Sequence, residues 1–273
     1  MGTVGFIFIT FGLLWIASFL KLWMSPKSLS KSKSPFLLNA DDKGLKKKLN
    51  LLLLTAHPDD ESMFFIPTIL YLTSVCHHNI YILCISTGNA EGKGHIRKDE
   101  MLQACLVLKV PVSNVSILDL PQLQDGFGKR WDHNLLAEII GQELKNHDIK
   151  TIITFDDYGI SGHPQHRAVH IGVCIFLKEN MKLSQGPEMK TVDAWQLIST
   201  NIMRKYSGPF DIWFSILFLF WLEKEQSYCV FNKYPHICFS AMGQHKSQWI
   251  WYRKLFVIFS SYTYVNTLRK IRV

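Results

Sequence analysis

From residue 49 onward the sequence alternates short apolar runs with longer amphipathic stretches, and that order constrains the fold more than any other feature. Residues 49–55, 80–86, 115–120 and 151–155 have the length and composition of strands, and 195–200 form a weaker candidate. Patterns of helical period occupy residues 66–74, 97–108, 133–147 and 166–178. Strictly alternating strands and helices predict a mostly parallel sheet covered on both faces, a Rossmann-like three-layer α/β/α domain. In such sheets functional residues collect in the loops at the carboxyl ends of the strands, and the polar motifs of this chain fall there.

The 273 residues support one such domain with appendages. Residues 4–20 carry no charge and are dense in Phe, Ile and Leu, and the run continues through Met24 with one lysine, Lys21. That length matches a helix spanning a hydrocarbon core of about 30 Å. A cleaved signal peptide would want a basic stretch before the run and a small-residue cleavage site after it. The positive charges instead follow, at Lys21, Lys27, Lys31 and Lys33, which predicts a single-pass anchor with everything after it on the cytosolic side. The expected division is an anchor at 1–24, a basic juxtamembrane linker at 25–48 and a catalytic domain at 49–273.

A net charge of +8 permits nucleic acid, a membrane surface or an anionic substrate as partner. Because the lysines cluster beside the apolar run, membrane is expected and nucleic acid is not. The six cysteines show no paired spacing and read as reduced thiols. Residues 210–222 are apolar but too short to span a bilayer, and 249–264 interleave aromatics with Arg253 and Lys254. Each is either a buried core helix or a segment touching lipid.

Directly after the first domain strand comes Ala56-His57-Pro58-Asp59-Asp60-Glu61. Capping a helix needs one acid; a histidine beside several acids at a strand end calls for a cation. Imidazole and carboxylate are ligands of catalytic zinc, which takes three protein donors and keeps one position open. The third donor is offered after the fourth strand, where Gly162-His163-Pro164-Gln165-His166 opens a helix. The residues then read as His57, Asp60 and His166 on the metal, zinc or another divalent ion, with Asp59 as general base. His163 is placed to stabilise an oxyanion and protonate a leaving amine. His170, one turn beyond His166, is either an additional ligand or a core residue.

These two motifs resemble those of the N-acetylglucosaminyl-phosphatidylinositol de-N-acetylases, also called LmbE-like deacetylases. Further similarities are Ser86-Thr87-Gly88-Asn89 with Arg97, Gln124-Asp125-Gly126, and Gln244-His245-Lys246-Ser247-Gln248, so the likeness spans residues 49–248. The resemblance implies zinc on His57, Asp60 and His166, Asp59 as base and His163 at the transition state. It further implies Arg97 on the phosphate or inositol side of the substrate, and brings Asp125 and His245 in as substrate contacts, Asp125 being otherwise a turn cap. Family members often carry an acid where this chain has Gln165; that acid is thought to orient the preceding histidine. With the anchor, the expected reaction is deacetylation of a glycolipid at the endoplasmic reticulum membrane, an early step of glycosylphosphatidylinositol synthesis. The alternative is a catalytically weakened scaffold of the same fold in a membrane complex.

Overall fold

A computed structural model describes residues 3–30, 36, 48–126, 128–183, 192–221 and 226–273. In chain order the elements are α1 (Thr3–Met24), β1 (Ser28–Leu29), β2 (Asn50–Thr55), α2 (Asp60–Phe64), α3 (Ile66–Ser74), β3 (Asn79–Cys84), α4 (Gly94–Val107), β4 (Val115–Ile117), α5 (His133–Asn146), β5 (Thr151–Phe155), α6 (Gly159–Gly162), α7 (Pro164–Leu183), β6 (Asp193–Leu197), α8 (Ile202–Lys205), α9 (Asp211–Trp221), β7 (Ser227–Phe231), α10 (His236–Met242), α11 (Trp251–Phe259) and β8 (Val265–Lys270).

The strands form one sheet in the order β1-β7-β8-β6-β5-β2-β3-β4. Strands β4, β3, β2, β5 and β6 run parallel, as the alternation of the sequence predicts. The central strand, Asn-Leu-Leu-Leu-Leu-Thr, is buried from Leu51 to Thr55 because both of its faces are covered. Helices α5 and α7 pack together, and α10 packs against α2 and α4. The chain winds outward from β2 through β3 to β4 and then returns to β5 on the other side of β2. The loops after β2 and β5 therefore open at the point where the winding reverses, which is where such sheets hold ligands.

The last third departs from the alternation. β8 pairs antiparallel with β6, β7 with β8, and β1 with β7. Residues 25–30, expected within a linker, thus contribute a strand to the sheet edge, and Phe36 is buried against Trp195 and Tyr228. Residues 31–35 and 37–47 of the expected linker lie outside the described residues.

Among the described residues no helix is long and apolar enough to cross a membrane. Helix α1, where the sequence predicts a spanning segment, packs one side against the antiparallel end of the sheet. Leu22 and Phe19 join a small core with Ile212, Leu219, Phe231 and Tyr264, Trp15 meets Phe210 and Phe259 edge-on, and Trp213 donates to Ser18 Oγ at 3.0 Å. Helix α9, over most of the apolar residues 210–222, buries one face and exposes the other. Ile212, Ser215 and Leu219 are buried, while Trp213, Phe214, Leu217 and Trp221 are exposed. All six cysteines are free thiols.

Candidate active site

The loop after β2 is built on its own carboxylates. Asp60 Oδ2 accepts the backbone N–H groups of Ala56 and His57 at 3.0 and 2.9 Å, which closes a tight turn and leaves Oδ1 facing outward. Asp59 adopts φ 116° and makes no side-chain cap to α2, so capping does not explain it. A positive φ at a residue with a Cβ is costly, and Glu61 holds it in place: Glu61 Oε2 accepts Asp59 N–H at 3.1 Å. Glu61 is fully buried, and its Oε1 meets His245 Nε2 at 2.7 Å.

The loop after β5 brings in the second motif. Asp156 accepts the Gly159 N–H and both the backbone and hydroxyl donors of Ser199, fixing the turn. Gly159 has φ 64°, and a Cβ there would lie 2.7 Å from His166 Cβ, so only glycine lets the histidine approach. The His166 ring stacks on Phe155 at 4.0 Å between centroids and 1° between planes. Its Nδ1 sits 3.2 Å from the Gly159 carbonyl and its Nε2 sits 3.2 Å from Asp60 Oδ1.

His57 is held in a matching way. Its Nε2 meets Gln165 Oε1 at 2.5 Å and Asp125 Oδ1 at 3.4 Å, while Nδ1 lies 3.8 Å from Asp60 Oδ2. Gln165 therefore touches His57, the partner motif, whereas the family pattern led one to expect contact with His163. Burial works to lower the His57 pKa, but Asp125 and Asp60 outweigh it and hold the imidazole above its ordinary value. Burial likewise opposes ionisation of Asp60, and His166 and His57 override it, holding that carboxyl well below the usual range.

His163 completes a triangle of imidazoles, with ring centroids 5.1 Å from His57 and 4.6 Å from His166. One nitrogen from each of the three lies within 4.8 Å of the others. His163 Nδ1 is buried without a hydrogen-bond partner among the described residues. Burial, then His166 and His57, push its pKa down to about 4, so in this arrangement it is neutral at pH 7 rather than protonated as the acid role wants.

The three expected substrate contacts are placed in three different ways. His245 is fully buried beneath the loop, so it supports Glu61 and has no face toward a substrate. Arg97 gives Nη1 to the Gly88 carbonyl at 2.9 Å and Nη2 to the Pro58 carbonyl at 2.7 Å, which commits it to the backbone. At Gly88, φ is 67° and a Cβ would lie 2.4 Å from Arg97 Nη1. Asp125 touches His57 and also lines the cavity. His170 bonds the Phe155 carbonyl at 3.0 Å and lies outside the imidazole triangle.

One residue is new. Arg253, on α11, donates to Asp59 Oδ2, the same oxygen that Arg97 Nη2 reaches at 3.2 Å. Burial opposes its charge, and Asp59 more than restores it. The only sequence signal was a cation set among aromatics in residues 249–264. A cavity of about 620 Å³ opens over these groups, floored by the histidines and acids and walled by Tyr206, Tyr252, Phe256 and Phe259.

A cavity whose floor holds imidazoles against carboxylates and whose wall is aromatic belongs to a hydrolase of α/β class. Residues 52–176 match the family model described as GlcNAc-PI de-N-acetylase. The N-acetylglucosaminyl-phosphatidylinositol de-N-acetylase of Bos taurus is 38% identical over 80% of this chain and 81% of its own length. A probable enzyme of the same name from Schizosaccharomyces pombe is 35% identical over 81% of this chain and 86% of its own. The chain belongs to the N-acetylglucosaminyl-phosphatidylinositol de-N-acetylase family. Its fold is shared with the N,N'-diacetylchitobiose deacetylase of Pyrococcus horikoshii, at TM-score 0.58 and 14% identity over 94% of this chain and 92% of that one.

Proposed function

We propose that this chain hydrolyses the acetamide of N-acetylglucosaminyl-phosphatidylinositol, releasing glucosaminyl-phosphatidylinositol and acetate, with a zinc ion held by His57, Asp60 and His166. One observation carries the ligand set: the outer nitrogen of each ligand histidine is already occupied. His57 Nε2 is engaged by Gln165 and Asp125, and His166 Nδ1 by the Gly159 carbonyl. Both rings therefore turn their other nitrogen toward Asp60, the arrangement by which acceptors behind an imidazole fix its tautomer for a metal. A second reading, with His163 as third donor in place of Asp60, is favoured by the close triangle of imidazoles.

A bound zinc ion supplies a Lewis acid that brings the pKa of water to about 7. Asp59 takes the proton as water attacks the amide carbon. His163, over the same cavity, faces the carbonyl oxygen and returns a proton to the glucosamine nitrogen as the C–N bond breaks. That proton is the one Asp59 took from water: the neutral imidazole of the resting site receives it from the carboxyl and passes it to the amine, so both groups end as they began. Phe155 and Gly159 keep His166 in place throughout. Gln165 is compatible with this chemistry because it orients His57, a task that needs an acceptor and no charge; this weighs against the scaffold alternative.

The same proposal puts the enzyme on the endoplasmic reticulum membrane with its cavity toward the cytosol. Phe6, Phe8, Leu13 and Leu14 of α1, Trp213, Leu217 and Trp221 of α9, and Trp251 and Leu255 of α11 are exposed. So large an apolar surface fits lipid contact, with the first half of α1 entering the bilayer. The division at residues 24 and 48 then yields to a domain that includes β1. The test is purified full-length protein with N-acetylglucosaminyl-phosphatidylinositol in mixed micelles, metal content being measured in parallel. Asp60→Asn is expected to lose zinc and His163→Ala to retain it while slowing; the reverse pattern establishes the three-histidine set. Absence of acetate release with zinc present would overturn the enzymatic reading.

A further inference from the structure

We propose that Arg253 is the residue that recognises the substrate's phosphodiester, and that its ion pair with Asp59 is the resting position it leaves on binding. This rests on the glycolipid reading above and names the group that reads its anionic link.

Two guanidinium groups meet at Asp59 Oδ2, and they are not equivalent. Arg97 is buried and spends both Nη atoms on the carbonyls of Pro58 and Gly88. Turning it toward a ligand would strand those carbonyls, so it serves as a fixed strut beside the base. Among the described residues, Asp59 is the one carboxylate that Arg253 touches, its other polar contacts being to Met63 Sδ at 3.7 Å and to Tyr252. Arg253 can therefore exchange one anion for another without uncovering backbone.

Its position matches the chemistry of the substrate. In such a glycolipid the phosphodiester separates a polar sugar from an apolar lipid. In the protein, α11 runs along the cavity where its polar floor gives way to an apolar, exposed rim. Arg253 faces inward to Asp59, Leu255 and Phe259 of the same helix stand at the cavity's rim, and Trp251, outside the cavity lining, is exposed. A sugar reaching the histidines from a lipid surface carries its phosphate past α11. There a planar guanidinium can grip two phosphate oxygens at once. Withdrawal of Arg253 also frees a lone pair on Asp59 Oδ2, so binding the anionic substrate releases the base that acts on it.

The experiment uses the full-length zinc-loaded protein and two substrates of equal sugar structure. One is N-acetylglucosaminyl-phosphatidylinositol; the other is an N-acetylglucosaminyl-inositol bearing a neutral alkyl ether instead of the phosphatidyl group. Arg253→Gln is expected to raise KM about 10- to 100-fold for the phosphodiester, the range of one or two lost charge-assisted bonds. kcat should stay within a few-fold, and KM for the neutral analogue should not change. Arg253→Lys should recover only part of the loss, since an ammonium restores the charge but not the two-pronged grip, and calorimetric binding of the water-soluble glycerophospho-inositol glycan should weaken in step in Arg253→Gln. Equal effects on both substrates would overturn the inference and make Arg253 a positioning residue for Asp59. Unaltered KM for both would also overturn it. Wild-type turnover of neither substrate would sink the functional reading itself, a result distinct from either.

Discussion

The two ends of the sheet do different work. The loops of the parallel strands β2 and β5 hold the histidines and acids, and each is locked by short hydrogen bonds within a few residues of its own strand. The antiparallel end, with α8 to α11, adds no member to the imidazole cluster. It sends His245 beneath the first loop and Arg253 over the cavity, and it carries exposed aromatics on its outer side. The proposed bond-breaking groups and the proposed means of presenting a substrate to them thus sit on separate structural units, and substitutions in the two units should fail in different ways.

The largest expected effects lie in the parallel half and would break the comparison if they were absent. His166→Ala should leave the purified protein almost free of zinc and without measurable turnover. Asp59→Asn should keep its zinc and lose turnover by about 10²- to 10⁴-fold, as expected for removing a base alone. Acetate release together with metal analysis by mass spectrometry separates the two. Equal metal loss in Asp59→Asn would show that Asp59 and Asp60 have exchanged roles.

Next in size is the tie between the halves. Glu61 and His245 are both fully buried, and removing one partner leaves the other without compensation. His245→Ala should cost about 3–5 kcal/mol in urea unfolding, the range for breaking a buried pair. Adding Glu61→Gln to His245→Gln should cost less than the sum of the single changes. Additive losses would mean that the pair carries no coupling and that the C-terminal third merely abuts the site.

The parallel core and the two loops that bring His57, Asp60 and His166 together were legible in the sequence because both are written locally. An all-apolar run such as Leu51–Leu54 reads as a doubly covered strand, and a histidine among acids at its end reads as a ligand turn. The antiparallel strands were not legible. β7 and β8 are separated by two helices, and their partners are set by long-range register that no local period encodes. Glu61 stood in the quoted motif, yet its role depends on His245, which lies 184 positions away. The contacts of Arg97 were hidden for a similar reason, since a cation near a phosphate and one clamped by two carbonyls look alike in sequence. The apolar segment at α1 read as a free span because sequence shows hydrophobicity but not which side of it docks, and Trp15, Phe19 and Leu22 dock.

A smaller effect concerns the outer surface. Trp251→Ser should weaken partition onto anionic phospholipid vesicles by about tenfold or more, since burying a large apolar side chain is worth about 1.5–3 kcal/mol. Turnover of a water-soluble glycan substrate should hold. Sedimentation with vesicles measures the first, and an equal loss on both would show that α11 shapes the cavity rather than the membrane contact.

The smallest effect asks whether charge passes between the halves. Burial pushes the His245 imidazole down, and the Glu61 carboxylate more than reverses it, so the folded pKa lies above the ordinary value. Folding takes up a proton there. The resulting stabilisation is complete below the unfolded value, about 6.5, and is lost as pH rises through the higher folded value. The gap in unfolding free energy between the natural protein and His245→Gln, read by urea unfolding, should therefore be widest near pH 6 and narrow as the pH is raised. It should do so by about 1.4 kcal/mol for each pKa unit that separates the folded and unfolded states. A gap constant across that range would show that the buried pair is held by a neutral hydrogen bond, and the two ends of the sheet would then be joined by shape alone.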